Sequence, residues 1–396
     1  MDRTTESAEG TTIRVGLDAH VVGRRKTGNE TYVVGLGNAL AARDDVGVTA
    51  FLDRGTGWPD GHGDGREPGH GHTHAREDAA PEVRLLRSRG SHARLLLDLP
   101  LGVRAARSQL LHVQYVAPPV AGVPTVVAVH DLSFEDRPEL FSTRTRLRLH
   151  ATIRASARRA SAVLALSSFT RDRLLHHYDL DPSRVFVAHA GVDGRFTRRE
   201  PLPPRDLGEL GLPDRFVLHV GDLIPRKNLP RLVAAMAALR RAGIGDIGLV
   251  LAGQDGRDTS AVDDAVAAAA ANGDSGWVHR LGYVDDATLL TRYDAATVVA
   301  FPSRYEGFGL PALEALARGA VLVTSATTAL PEVVGHAAVT VDVEDTDALA
   351  SGLARAIEDE ALRAELMLAG PARAAGFSWA ASAASTVAAY RRALER

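Results

Sequence analysis

Thr297-Val298-Val299-Ala300-Phe301-Pro302-Ser303-Arg304-Tyr305-Glu306-Gly307-Phe308-Gly309-Leu310-Pro311-Ala312-Leu313-Glu314 reads as a buried strand, a glycine-bearing turn and the start of a helix. The apolar run Thr297 to Phe301 is short and β-branched, as in a strand covered on both faces of a parallel sheet. Pro311 suits the first position of the helix that follows, because its missing N–H would have no intrahelical acceptor there. Glu306 then falls in the loop and Glu314 in the first helical turn. The backbone N–H groups of Phe308, Gly309 and Leu310 are left to point outward, where a helix N-terminus favours an anion.

A second strand-to-helix loop carries the complementary charge. In Gly221-Asp222-Leu223-Ile224-Pro225-Arg226-Lys227-Asn228-Leu229-Pro230, two adjacent cations stand between Phe216-Val217-Leu218-His219-Val220 and an Ala/Leu-rich helix beginning near Leu229. Arginine grips two phosphate oxygens at once, and lysine supplies a compact charge that can follow charge developing on a leaving group. Taken singly, each residue has a plainer reading: Glu314 as a carboxylate answering the helix dipole, Glu306 as a solvated loop residue, Arg226 and Lys227 as a surface basic pair. Together, two carboxylates beside a phosphate cradle imply a ligand bearing both hydroxyls and phosphates, such as a sugar nucleotide.

Working outward, short β-branched runs alternate with Ala/Leu/Arg-rich stretches along the whole chain, the pattern of an α/β protein with parallel sheets. One set of strands is expected near residues 13–17, 48–51, 83–86, 110–113, 125–129, 162–166 and 185–188. A second set begins at Phe216 and continues near 248–251, 277–280, 297–301, 321–324 and 338–341. The proline-rich stretch 199–205 has linker composition. The expected organisation is a first Rossmann-like domain over 1–200, a second over 201–377, and a C-terminal helix within 378–396 packing back on the first. Such a pair leaves a cleft between the carboxyl ends of the two sets of strands.

Three other segments have bland readings. Residues 55–81, rich in Gly, His and Asp, form a mobile insertion, and His62, His70, His72 and His74 within it are solvated rather than metal ligands. The Arg- and Leu-rich stretch 87–107 is a surface helix packed on its own sheet, although its pattern also suits a lipid surface. Gly35-Leu36-Gly37-Asn38 partly matches a dinucleotide fingerprint but falls inside a helical stretch and lacks the third glycine, which argues against an NAD enzyme.

Composition limits the alternatives. With 396 residues, 45% hydrophobic and 24% charged, the chain suffices for two cores. A formal net charge of -3 gives no pull toward nucleic acid, so phosphate binding must rest on local charge. The absence of cysteine excludes disulfides, thiolate zinc sites and cysteine nucleophiles. No apolar run reaches the roughly 20 residues that span a bilayer, and the first residues lack a signal-peptide core, so a cytoplasmic location is expected.

At the two loops above the chain resembles the retaining glycosyltransferases of family 4, which share the two-domain GT-B fold and an E-x7-E signature. The resemblance runs from about Thr12 onward, apart from the Gly/His segment. It extends to His130-Asp131, Ser167-Ser168-Phe169-Thr170, Ala190-Gly191-Val192-Asp193, and the glycine loop Gly23-Arg24-Arg25-Lys26-Thr27-Gly28-Asn29-Glu30-Thr31-Tyr32. It implies that Arg226 and Lys227 neutralise the donor diphosphate, with Phe308, Gly309 and Leu310 at the helix start. Glu314 would accept from the ribose hydroxyls, and Glu306 would contact the transferred sugar near its anomeric carbon. His130 would line the reacting face, Gly28 would let backbone approach the phosphates, and Tyr283 with Gly282 and Val284 would meet the base. Ser167, Ser168, Arg24 and Arg25 are the acceptor-side candidates.

The activity so implied is transfer of a hexose from an NDP-sugar to an acceptor hydroxyl with retention, without a metal or other cofactor. GDP-mannose is favoured by Gly16-Leu17-Asp18-Ala19 with His130-Asp131, and UDP-hexoses remain open. Asp179-Leu180-Asp181 and Asp345-Thr346-Asp347 look like metal-binding Asp-x-Asp pairs, but both sit where Asp caps helices. The acceptor would be a glycan or a lipid-linked glycan in polysaccharide or glycoconjugate synthesis, with contact at the inner face of a membrane compatible and no nucleic-acid partner. The rival readings are a GT-B epimerase or phosphorylase and a non-catalytic assembly partner. Nothing in the sequence sets an oligomeric state.

Overall fold

The computed structural model describes residues 12–24, 27–59, 79–87, 90–197, 212–270 and 275–395. Arg25, the linker 199–205 with the expected boundary at 200/201, and most of the Gly/His segment, including His62, His70, His72 and His74, lie outside the described residues.

Every strand expected from the sequence forms, and they assemble into two separate parallel sheets. The first holds β1 (Ile13–Asp18), β2 (Val46–Leu52), β3 (Glu82–Leu85), β4 (Leu110–Gln114), β5 (Thr125–Val129), β6 (Ala162–Ala165) and β7 (Val185–Val187), in the order β3-β2-β1-β4-β5-β6-β7. The second holds β8 (Phe216–Val220), β9 (Gly248–Ala252), β10 (Val278–Gly282), β11 (Val298–Phe301), β12 (Leu322–Ser325) and β13 (Val339–Val341), in the order β10-β9-β8-β11-β12-β13. β4, β9, β11 and β12 are buried along their whole length, as helices on both faces of a parallel sheet require. In each sheet the first strand lies between the second and the fourth, so the winding direction reverses there. That reversal opens a crevice beyond the carboxyl ends of β1 and β4, and another beyond β8 and β11.

The helix Trp379–Leu394 closes the chain on the first sheet, packing against the helix Thr27–Ala41 and against β4 to β7. Two close approaches fix it. Trp379 lies flat against the glycine face of the Thr27–Ala41 helix, so that a Cβ on Gly35 would meet the indole Cε2 at 2.2 Å. Gly37 similarly meets Trp58, whose indole N–H donates to Asn38 Oδ1 at 2.8 Å. The glycines that mimic a dinucleotide motif are therefore packing sites for two indoles. Deeper in the contact, Tyr390 Oη lies 2.7 Å from Nδ1 of the buried His112 on β4.

The stretch 91–105 is one helical run with a π-helical turn, Arg94–Asp98, at its centre. Pro100 explains the bulge: it offers no N–H to the preceding turn and would clash with its carbonyl, and widening the ladder removes both conflicts. Leu99 and Val103 are buried against the sheet, in keeping with a packed surface helix, but Leu96, Leu97 and Leu101 are 57%, 59% and 63% exposed. Among the described residues no helix is long and apolar enough to cross a membrane.

The joint between the last helix and the chain leaving β7 yields a stability prediction. Gly191 has no room for a side chain: a Cβ there would sit 2.2 Å from the Trp379 nitrogen and 2.6 Å from the Ser378 carbonyl carbon. Gly191→Ala must displace backbone on the Ser378–Trp379 side, at a cost of about 1–3 kcal/mol. The variant should melt lower than the parent and lose its C-terminal helix to limited proteolysis first. An unchanged melting temperature and cleavage pattern would show that this contact does not hold the helix.

Candidate active site

The loop leaving β8 turns Lys227 inward. Pro225 opens a short 3-10 turn, Pro225–Lys227, and Asn228 ends it in the left-handed region at φ 60°, where asparagine is tolerated better than most residues. The Asn228 amide donates to the Val343 carbonyl at 2.7 Å, which anchors the turn before the helix Leu229–Arg241 begins. The β11 loop is zipped alongside, with Arg304 N donating to the Arg226 carbonyl at 2.8 Å and the Arg226 guanidinium to the Tyr305 carbonyl at 3.2 Å.

Between these loops Glu306, only 6% exposed, accepts from Lys227 Nζ at 2.8 Å and pairs with Arg226 at 2.5 Å through the same carboxylate oxygen. Lys227 also lies over the Phe301 ring at 4.2 Å. Burial alone would push the Glu306 carboxyl up, but Arg226 and Lys227 together hold it at about 2. Lys227 responds in the opposite sense: burial lowers it to about 8, with Arg226 adding to that and Glu306 only partly opposing it. One carboxylate is shared by two cations, so it is fully stabilised while each cation is only partly compensated. The triad carries a net positive charge in a desolvated place, which suits a further anion.

The anion's backbone partners stand on the same loop. Gly309, at φ 103°, turns the chain into the helix Leu310–Arg318, and the amides of Phe308, Gly309 and Leu310 have no acceptor among the described residues. The Phe308 ring packs inward on Phe377 at 5.7 Å, so only its backbone serves the site. Glu314 departs from its expected place. Because the helix starts at Leu310, with Pro311 second, Glu314 opens the second turn rather than lying in the first. Half-buried, it accepts from Tyr293 Oη at 3.1 Å, and burial raises its carboxyl to about 7. Thr328 holds a positive φ of 64°, unusual for a β-branched residue, and its hydroxyl accepts from Glu306 N at 3.2 Å.

The first domain meets this loop closely. A Cβ on Gly307 would sit 1.8 Å from the His130 carbonyl, so only glycine permits the approach. His130 is buried, with Nδ1 2.9 Å from Asn29 Oδ1 and its ring centroid 4.6 Å from that of Tyr32 and 5.1 Å from that of Tyr115. Burial lowers its imidazole to about 4, with Asp131 partly opposing, and Nε2 has no partner among the described residues. Gly28 is exposed, with open space where a Cβ would point. Tyr283, half exposed after Gly282 at φ 65°, borders a recess with Gln254, Asp255, Thr259 and Arg280.

The remaining candidates fall elsewhere. Arg24 forms an ion pair with Asp53. Ser167 is fully buried: it caps the helix Ser168–Tyr178 and donates to the Gly307 carbonyl. Ser168 is exposed, and its amide donates to Glu332 at 2.9 Å. Ser167 thus meets the second domain through its hydroxyl and Ser168 through its amide, while the Ser168 side chain stays exposed. Asp181 and Asp345 are helix caps, and among the described residues no cluster of three His, Asp or Glu side chains could hold a metal ion. Sequence reasoning quoted Asn29 and Thr170 within motifs without giving them a role, and passed over Tyr115, Thr328 and Glu332. Their signal was positional only, in loops at the carboxyl ends of strands or at helix starts facing the crevice.

Similarity to known proteins agrees with this geometry. The family profile "Glycosyltransferase Family 4" matches residues 27–195, and "Glycosyl transferases group 1" matches 208–372. An O-antigen chain mannosyltransferase B of Escherichia coli is 31% identical over 271 residues, covering 67% of this chain and 70% of that protein. A D-inositol 3-phosphate glycosyltransferase of Actinosynnema mirum is 36% identical, over 69% of this chain and 67% of its own length. Among solved structures, a sucrose-phosphate synthase of Thermosynechococcus elongatus superimposes with a TM-score of 0.71 at 23% identity, over 96% of this chain and 98% of its own. Anabaena Alr3699/HepE in complex with UDP and glucose does so at 0.69 and 20%, over 96% and 99%. A pair of Rossmann-like sheets with the Glu306 loop and the Arg226–Lys227 loop at one crevice, matched by both family profiles across most of the chain, makes this chain a member of the GT-B glycosyltransferases of family 4.

Proposed function

We propose that this glycosyltransferase moves a hexose from a nucleoside diphosphate sugar to an acceptor hydroxyl with retention of anomeric configuration and without a metal ion. The observation that carries the reading is the largely buried, net-positive triad of Arg226, Lys227 and Glu306 on the loop whose Phe308, Gly309 and Leu310 amides have no acceptor among the described residues. A diphosphate placed there meets two cations and a helix start, which supply the charge neutralisation that other enzymes obtain from a divalent cation. Glu306 accepts from hydroxyls of the sugar, Glu314 from those of the ribose, and the recess at Tyr283 takes the base.

In the reaction the bond between the anomeric carbon and the β-phosphate oxygen breaks, and the acceptor oxygen bonds to that carbon on the same face. The acceptor proton passes to the departing phosphate, whose charge Lys227, Arg226 and the amides stabilise. Mannose is the favoured sugar, supported by the similarity to a mannosyltransferase, and the acceptor class is a glycan or lipid-linked glycan. UDP-hexoses stay in the panel, supported by the fold shared with a protein solved with UDP and glucose.

A panel of GDP- and UDP-sugars tests the reading. Nucleotide release should require an acceptor, the product should gain one hexose with the donor's anomeric configuration, and chelators should leave the rate unchanged. Release without acceptor, or free sugar phosphate as product, would favour the phosphorylase or epimerase alternative, and no binding of any donor would remove the reading altogether.

The Glu314 carboxyl gives a pH test. Its pKa rises from 4.5 to about 7 on folding, so the folded chain keeps this proton while the unfolded chain releases it. Its contribution to stability therefore falls as pH rises between those two values. Binding ribose hydroxyls favours the ionised form, so affinity for GDP or UDP should climb about tenfold per pH unit below that pKa. It should decline again once Lys227 loses its proton above about 8. Calorimetric titration across this range should show the rising limb vanish in Glu314→Gln. A rising limb that survives the substitution would place the titrating group elsewhere.

The exposed Leu96, Leu97 and Leu101, with Arg104 exposed on the same helical run, support peripheral contact with an anionic bilayer. Co-sedimentation with vesicles containing phosphatidylglycerol should be strong for the parent and lost in Leu96→Glu/Leu97→Glu. Equal partitioning of both would refute a membrane role for this run.

A further inference from the structure

The carbonyl of Gly307, next to Glu306 in the chain, lies at the interface between the two domains, and the second domain supplies no donor to it among the described residues. Two hydroxyls of the first domain hold it instead: Ser167 Oγ at 2.7 Å and Thr170 Oγ1 at 3.2 Å. Both side chains are wholly buried. Ser167 Oγ accepts the Thr170 N–H at 3.0 Å as the cap of the helix Ser168–Tyr178, and its one hydrogen faces the Gly307 carbonyl at 2.7 Å and Thr170 Oγ1 at 3.1 Å, the carbonyl being the nearer acceptor.

The same helix end grips the second domain again. The amides of Ser168 and Phe169 donate to the two carboxylate oxygens of Glu332 at 2.9 and 3.2 Å, and His189 Nε2 lies 2.7 Å from Glu332 Oε1. On the loop itself, Tyr305 Oη donates to Asp136 at 2.8 Å. Glu306 is thus flanked by neighbours that are both tied to the first domain, Tyr305 on one side and Gly307 on the other.

We propose that Ser167 and Thr170 are positioning residues for Glu306: by holding the Gly307 carbonyl across the interface, they make the placement of the sugar-side carboxylate depend on the two domains being together. Arg226 and Lys227 belong to the second domain and keep one oxygen of Glu306 paired there, so what the first domain adds is the orientation of the carboxylate and not its pairing, and the cations stay in place for a diphosphate. Nucleotide binding and correct placement of Glu306 are then separable steps. The consequence for turnover rests on the donor-site reading above; the structural claim does not.

The test compares the full-length parent with Ser167→Ala, Ser167→Thr and Thr170→Val. Thr170→Val removes a hydroxyl without touching the helix cap, and Ser167→Thr retains both cap and donor. Hydrogen exchange, followed by mass spectrometry with no ligand present, should speed up at least threefold for peptides covering 303–309 in Ser167→Ala and Thr170→Val, and return to the parent rate in Ser167→Thr. Dissociation constants for GDP and UDP should stay within twofold of the parent, while release of GDP from GDP-mannose, or of UDP from UDP-glucose, with acceptor should fall at least tenfold in Ser167→Ala.

Unchanged exchange at 303–309 in both Ser167→Ala and Thr170→Val would overturn the proposal. So would faster exchange confined to the helix Ser168–Tyr178, which would reduce Ser167 to a cap. If the parent binds neither GDP nor UDP, the donor-site reading fails, and the exchange comparison still decides whether these hydroxyls position the loop.

Discussion

A carboxylate shared by a buried lysine and a half-buried arginine constrains everything around it. Glu306 cannot be moved far from Lys227 and Arg226 without exposing a desolvated charge, and breaking such a buried pair typically costs about 3–5 kcal/mol. The two loops that carry these residues must therefore leave their sheet side by side. They do so only because β8 and β11 are neighbours at the point where the winding of the second sheet reverses. The sheet order, the 3-10 turn that inverts Lys227 and the left-handed Asn228 all serve that juxtaposition. Two cations against one carboxylate leave an excess of positive charge in the crevice.

The same loop is also the place where the two domains touch. Gly307 lies against the His130 backbone, Tyr305 reaches Asp136, and Arg137 of the first domain joins Arg231 and Arg304 on the carboxylate of Glu344. Polar contacts of this kind suit an interface that must open and reclose, because each group can return to water when the domains separate. His130, held neutral by burial and oriented by Asn29, contributes an uncharged polar edge beside the loop rather than a further cation.

How much of this was legible in the sequence depends on the range of the interaction. Strand and helix alternation, the two sets of strands and the paired loops could be read because local pattern encodes them: β-branched runs, prolines at helix starts, glycine in the turn. The place of Glu314 was off by one residue, enough to carry it past the first turn, because the helix begins at Leu310 and not at Pro311. Partners across the interface could not be read. Ser167 carries the local signature of a helix cap, and nothing near it in sequence shows that its hydrogen is spent on Gly307, 140 residues away. Gly35 and Gly37 partly match a dinucleotide fingerprint, and their place inside a helical stretch was enough to set that reading aside, but not to show that they make room for Trp379 and Trp58. Thr328 had no signal beyond its place after a strand, since a positive φ at a β-branched residue is imposed by the fold against local preference.

The central claim is that the triad is the phosphate end of a donor site, so the most direct measurement is the affinity of the protein for a nucleoside diphosphate against that for the corresponding nucleoside. Calorimetric titration of GDP with guanosine, and of UDP with uridine, makes the comparison at one pH and ionic strength. The account predicts that removing the diphosphate weakens binding by about two orders of magnitude, equivalent to losing about 2.7 kcal/mol from charge-assisted contacts with Arg226, Lys227 and the helix start. Equal affinity for nucleotide and nucleoside, or no binding of either pair, would contradict it.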